Sequence, residues 1–169
     1  MVLDPFVGSG STVVAVVQEG KQGVGLDVSP DYITQARHGC GNTQSFWDDM
    51  NVREPVLKVS NANDPLRHVE PNSVDLCVTS PPYWNILTEK RTADYKVLRH
   101  YGNREHDLGT IADYGDFLGA LRSIFEKVFV AMKPSCYCIV VVMDLRKKDR
   151  FSLSQRHRGI YAGYRIHLR

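Results

Sequence analysis

The chain has no stretch fit to cross a membrane: no apolar run approaches the roughly 20 residues a spanning helix needs. It also lacks the parts of a secretory leader. Met1 leads straight into Val2-Leu3-Asp4-Pro5, with no basic stretch and no cleavage site. A cytoplasmic location is the expectation. Cysteine is sparse, and no pair among Cys40, Cys77, Cys136 and Cys138 has C-x-x-C spacing. The histidines are scattered. Reduced thiols, no disulfide framework and no metal site are therefore expected. Internal repeats and low-complexity segments are absent as well.

Net charge is only +2, too small to mark a polyanion partner by itself. The distribution is more informative. Arg146, Lys147, Lys148, Arg150, Arg156, Arg158, Arg165 and Arg169 face only Asp149 across positions 146 to 169. A second basic stretch runs from Lys90 to Arg104. Such segments suit phosphate contacts, and equally a solvated face or tail. A chain of 169 residues favours one domain with a real core, and 43% hydrophobic with 24% charged residues fits a globular protein.

Strands and helices alternate along the chain. Met1-Val2-Leu3 is a short apolar strand ended by Asp4-Pro5. Gly8-Ser9-Gly10 turns the chain, and Ser11, as N-cap, opens a helix through about Gln18. Gly23 to Val28 reads as a second strand. Pro30 suits the first position of a second helix running through about His38, with Gly39, Gly41 and Asn42 as breakers. Val56 to Ser60 and Val74 to Thr79 are the third and fourth strands. Residues 84 to 110 look like a long polar loop. Phe117, Leu118, Leu121, Ile124, Phe125 and Val128 recur at helical spacing between Asp113 and Met132. Lys133-Pro134-Ser135 should end that helix, and Tyr137 to Met143 should be a strand buried on both faces. The pattern predicts an α/β fold with a mostly parallel sheet and helices on both faces. Ligands bind such sheets beyond the carboxyl ends of the strands, where Asp4, Asp27, Thr79 and Asp144 should converge.

The segment Asp4-Pro5-Phe6-Val7-Gly8-Ser9-Gly10-Ser11-Thr12 joins the first strand to the first helix. Its glycines let backbone pass close to a ligand. It has neither the Gly-Lys-Ser/Thr of a phosphate loop nor G-x-G-x-x-G. Asp4 would repel phosphates but suit a cationic amino group, which S-adenosylmethionine has. Asp27, at the end of the second strand, can accept both hydroxyl hydrogens of a ribose. The segment resembles the cofactor motif of the amino-type DNA methyltransferases, which act on N4 of cytosine or N6 of adenine. That resemblance implies a Rossmann-like S-adenosylmethionine-dependent methyltransferase fold. It also implies that Asp4 contacts the methionine amino group, that Phe6 to Thr12 wraps the methionyl part, and that Asp27 holds the ribose. An acid after the third strand often meets the cofactor's adenine in this family. Here Asn61, Asn63 and Asp64 are all candidates.

Thr79-Ser80-Pro81-Pro82-Tyr83-Trp84 closes the fourth strand. An exocyclic amino nitrogen is a poor nucleophile because its lone pair is shared with the ring. A side-chain oxygen and a backbone carbonyl accepting its hydrogens would raise electron density on nitrogen. Consecutive prolines stiffen those carbonyls and remove competing amide donors. Tyr83 offers a flat face for an extruded base. This segment resembles the reaction motif of the same family. The resemblance implies that Ser80 and the Pro81 carbonyl bind the target amino group and that Tyr83 stacks on the base. Serine at the first position leans the target towards cytosine. Trp84 and Asn85 are candidates for the base pocket or for packing. Tyr95, Tyr101 and His106 could touch DNA, and Asp107-Leu108-Gly109 and Tyr114 are read as shaping the loop.

The resemblance covers about residues 1 to 151, a catalytic domain followed by a basic tail from 152 to 169. The family's Phe-Gly cofactor segment, its target-recognition region and its last strands, paired as a hairpin, are not found. Gly159 to Ile166 could form one weak strand. The chain therefore reads as partial, expected to bind cofactor weakly and to be inactive alone; a complementary chain or a homodimer partner could supply the missing parts. The expected substrate is double-stranded DNA. The competing readings are methylation of RNA or a protein glutamine, and a non-catalytic remnant that binds DNA or a partner subunit.

Overall fold

A computed structural model describes residues 1–42, 54–84 and 107–142, together with the backbone of 166–168. Its sheet has the order β3-β2-β1-β4-β5-β6 and all its pairings are parallel. The strands are β1 (Val2–Asp4), β2 (Gly23–Asp27), β3 (Val56–Val59), β4 (Val74–Thr79), β5 (Met132–Val140) and β6 (Ile166–Leu168). The helices are α1 (Ser11–Gln18), α2 (Pro30–Gly41) and α3 (Tyr114–Ala131). This is the expected α/β architecture. Helices cover both faces: α1 and α2 bury Val13, Val17, Ile33, Ala36 and Cys40 with Val7 and Leu57. On the other face, α3 buries Phe117, Leu121, Ile124, Phe125 and Val128 against Leu3, Val24, Leu26, Cys77, Cys138 and Val140.

Several local expectations are corrected. The N-cap of α1 is Gly10, in the left-handed region at φ 94°, rather than Ser11. Only glycine fits there, since a Cβ would lie 2.6 Å from the Ala36 Cβ. α2 does not stop at His38 but runs through Gly39 and Gly41. Burial of Cys40 beside α1 overrides the two breakers. At its start Pro30 holds the first turn, with Ser29 as N-cap accepting from the Tyr32 amide.

Lys133-Pro134-Ser135 does not form a separate stop. α3 ends at Ala131, and β5 begins at once and carries these residues through a register shift opposite Val74 and Leu76. A bulge there accommodates a proline that has no amide to donate, with Ser135 at φ 62°. Nor is β5 buried on both faces. Cys138 and Val140 lie under α3, while Tyr137 is 49% exposed on the opposite face. β6 pairs with β5 within the segment read as a basic tail, starting at the last residue of the weak strand expected there. The cysteines are free, and Cys77 sits beside Cys138 on adjacent strands. No described helix is long and apolar enough to cross a membrane, and no metal-ligand cluster occurs among the described residues. Asn85, Tyr95, Tyr101, His106, Asp144 and both basic stretches, apart from the backbone of Ile166–Leu168, lie outside the described residues.

Candidate cofactor and reaction site

The strand order reverses direction between β1 and β4, the place where open α/β sheets form a ligand crevice. A cavity of about 270 Å³ opens there. The loop after β1 supplies Pro5, Phe6, Gly8 and Ser9 to its wall. The β2–α2 turn supplies Asp27, Val28, Ser29 and Tyr32, and the turn after β3 supplies Asn61 and Ala62. Ser80 and Pro82 enter from the end of β4, and Asp107 and Leu108 from the segment before α3. Both sequence motifs thus share one concave surface.

Asp27 organises the near side. Its Oδ2 accepts from the Gly8 amide at 3.0 Å and its Oδ1 from the Ser29 amide at 2.7 Å. The glycine loop is thereby tied to the end of β2, and the Val7 amide also donates to the Leu26 carbonyl.

Asp4 lies beneath the wall, 3% exposed. Its Oδ1 accepts from the Thr79 hydroxyl at 2.6 Å and from the Phe6 amide at 3.1 Å. Burial pushes its carboxyl above the usual range, partly offset by the hydroxyls of Thr79 and Thr12 and the Phe6 amide. The Thr79 bond fastens the cofactor loop to the strand that carries the reaction motif. Gly10 and Ser11 begin α1 just behind the loop.

Ser80 is exposed, and its hydroxyl lies 3.1 Å from the Tyr83 hydroxyl and donates to the Val141 carbonyl at 3.3 Å. Pro81 is buried behind it, and Tyr83 is half-buried. Trp84 packs: its Nε1 donates to the Ile111 carbonyl at 2.9 Å, and its ring meets Tyr114 edge-on. Of the residues after β3, Asn61 faces the cavity. Asn63 instead accepts from the Ser123 hydroxyl and, through its carbonyl, from Lys127. Asp64 precedes a 3-10 turn over Pro65–Arg67.

Sequence reasoning did not place Val28, Ser29 and Tyr32 in the wall. Their signal was available, because the chain between Asp27 and the first turn of α2 must border the crevice. Asp107 and Leu108 were read as loop-shaping. Asp107 does cap the 3-10 turn Leu108–Thr110, accepting from the Gly109 amide at 2.8 Å. It also lines the cavity, which only the fold reveals.

The wall holds two acids, Asp27 and Asp107, and no lysine, arginine or histidine among the described residues. With Asp4 below, the surroundings favour a cation and disfavour a phosphate.

Comparisons with known proteins agree with this geometry at two levels. No curated protein matches the chain. Among solved structures, the PH0226 protein from Pyrococcus horikoshii OT3 is similar, at 21% identity and a TM-score of 0.51, over 94% of this chain. That likeness is one of fold, and this chain spans 50% of that protein's length. Residues 1–38, which carry Asp4, the glycine loop and Asp27, match the family model N6_N4_Mtase, described as DNA methylase.

Proposed function

We propose that the chain is the catalytic core of a DNA methyltransferase using S-adenosylmethionine, with an exocyclic amino nitrogen as acceptor and N4 of cytosine favoured over N6 of adenine. One observation carries the proposal: residues of both motifs line a single cavity that, among the described residues, has acids and no cations in its wall. A methyl donor with a cationic sulfur and a cationic amino group fits that wall. A nucleoside triphosphate fits it poorly, and a dinucleotide would call for the G-x-G-x-x-G turn that the loop lacks.

When bound, S-adenosylmethionine supplies an electrophilic methyl group. The chain's own residues do the rest. Asp27 accepts the ribose hydroxyls, and Pro5, Phe6, Gly8 and Ser9 embrace the methionyl part. Asp4 adds negative charge beneath it. Ser80 Oγ and the Pro81 carbonyl accept the two hydrogens of the target amino group, and Tyr83 stacks on the extruded base. The donor would supply that methyl carbon and keep the bonding pair on its own sulfur. The extra proton on nitrogen passes to water. The contribution is mainly one of alignment.

The test is incubation with labelled S-adenosylmethionine and mixed-sequence duplex DNA, followed by mass spectrometry of the nucleosides. N4-methylcytosine is expected. N6-methyladenine would overturn the base preference, and bound cofactor with no methylated nucleoside would favour the non-catalytic reading.

A further inference from the structure

A second cavity of about 300 Å³ adjoins the first, and Asn61, Asp107 and Leu108 belong to both walls. The two polar side chains are each half-engaged by their own backbone. Asn61 Oδ1 accepts from the Asn63 amide at 2.9 Å, which leaves the amide NH2 as its free group. Asp107 Oδ1 accepts from the Gly109 amide at 2.8 Å, which leaves Oδ2 as an acceptor. The shared wall therefore offers one donor and one acceptor, fixed by turns on two separate segments. Val28 and Leu108 supply apolar surface to the same cavity.

We infer that Asp107, paired with Asn61, is a specificity-determining residue that reads the edge of the cofactor's purine. A 6-aminopurine presents a ring nitrogen acceptor beside an amino donor. Asn61 Nδ2 would donate to the first and Asp107 Oδ2 accept from the second. A 6-oxopurine presents the opposite pattern, a ring N–H donor beside a carbonyl acceptor. It would leave both side chains facing like groups, and unmatched buried polar groups are where discrimination arises. The inference rests on the S-adenosylmethionine reading and goes beyond it. It assigns the amine-accepting carboxylate to the segment before α3 rather than to the turn after β3.

The experiment is calorimetry of the full chain with S-adenosylhomocysteine and with its deaminated analogue, S-inosylhomocysteine. The unmodified chain should favour the adenosyl compound by about a hundredfold, roughly tenfold for each mismatched bond. Asp107→Asn keeps the oxygen that caps Gly109 and turns Oδ2 into a donor, so the preference should shrink or invert. Asp107→Ser keeps a capping oxygen and removes the second acceptor. Its adenosyl affinity should fall about tenfold, and its inosyl affinity should rise as the clash of Oδ2 with the 6-oxo group is removed. Circular dichroism establishes that both variants fold. An unchanged preference in Asp107→Asn would overturn the inference and leave the methyltransferase reading intact. Binding of neither compound by the unmodified chain would overturn both.

Discussion

The two loops that meet at the crevice differ in how they are held. The loop after β1 is tied at every step. Asp4 takes the Thr79 hydroxyl and the Phe6 amide, Asp27 takes the Gly8 amide, and Gly10 sits against Ala36. The loop after β4 is open. Ser80 is exposed, and its contacts to Tyr83 and Val141 are 3.1 and 3.3 Å long. A cofactor cradle benefits from being preformed, because the ordering entropy is then already spent. A loop that must admit a base and release it benefits from spare hydrogen-bonding capacity. Under the proposed function, stability would rest on the first loop and chemistry on the second.

The largest expected effect tests the first half of that assignment. Gly10→Val should lower stability by about 3 kcal/mol or more, from a strained positive φ and from a Cβ driven into Ala36. Denaturant unfolding measures it, and an unchanged midpoint would show that the loop is not held by this contact. The second half predicts the opposite behaviour. Ser80→Ala should reduce methyl transfer about 100-fold while leaving the melting temperature within error, because it removes an acceptor needed only during reaction. If Ser80→Ala instead melts early, the open loop is structural and the contrast fails.

The bond between the loops comes next. Thr79→Val removes a hydroxyl that the buried Asp4 depends on and should cost about 2 kcal/mol. Asp4 also makes the cradle pH-dependent. Because burial raises its folded pKa above the ordinary value of 3.8, the folded state holds its proton more tightly than the unfolded state. Stability therefore falls as pH rises from that value through the raised one. Affinity for a cationic cofactor should rise over the same interval, since the ligand favours the ionised form. Binding isotherms across pH should show that slope, and Asp4→Asn should flatten it.

The first loop was also the more legible in the sequence. Asp4, the glycines and Asp27 are local signals: strand end, turn, helix start, next strand end. Their bonds join neighbouring strands, and the parallel topology supplies those neighbours. The sheet and its helices were readable for the same reason. What failed depended on packing between distant segments. Gly39 and Gly41 break helices in isolation, yet α2 continues because Cys40 is buried. Lys133-Pro134-Ser135 reads as a terminator, but pairing with β4 absorbs it as a bulge. Asp107 could be read only as shaping its loop, since nothing local says that it shares a cavity wall with Asn61. Between Asn61, Asn63 and Asp64 the sequence offered no choice. In the structure Asn63 is engaged by Ser123 and Lys127 on α3, and Asn61 lines the first cavity.

The smallest effect is expected far from both loops, and it serves as their control. Asp75 stands at the opposite end of β4 from Ser80, where it pairs with Lys133 and the Met1 amino group. Lys133, followed by the amino terminus, holds its carboxyl down at about 2. A lowered acid contributes stability above its ordinary value of 3.8, and that stability is lost as pH falls from there towards about 2. Asp75 is about half exposed, so solvent screening keeps the contribution below about 1 kcal/mol. Asp75→Asn should therefore soften acid unfolding slightly and leave cofactor affinity and methyl transfer unchanged at neutral pH. A fall in methyl transfer in this variant would mean that the loops are coupled through the length of β4. The division of labour would then belong to the whole strand rather than to its end.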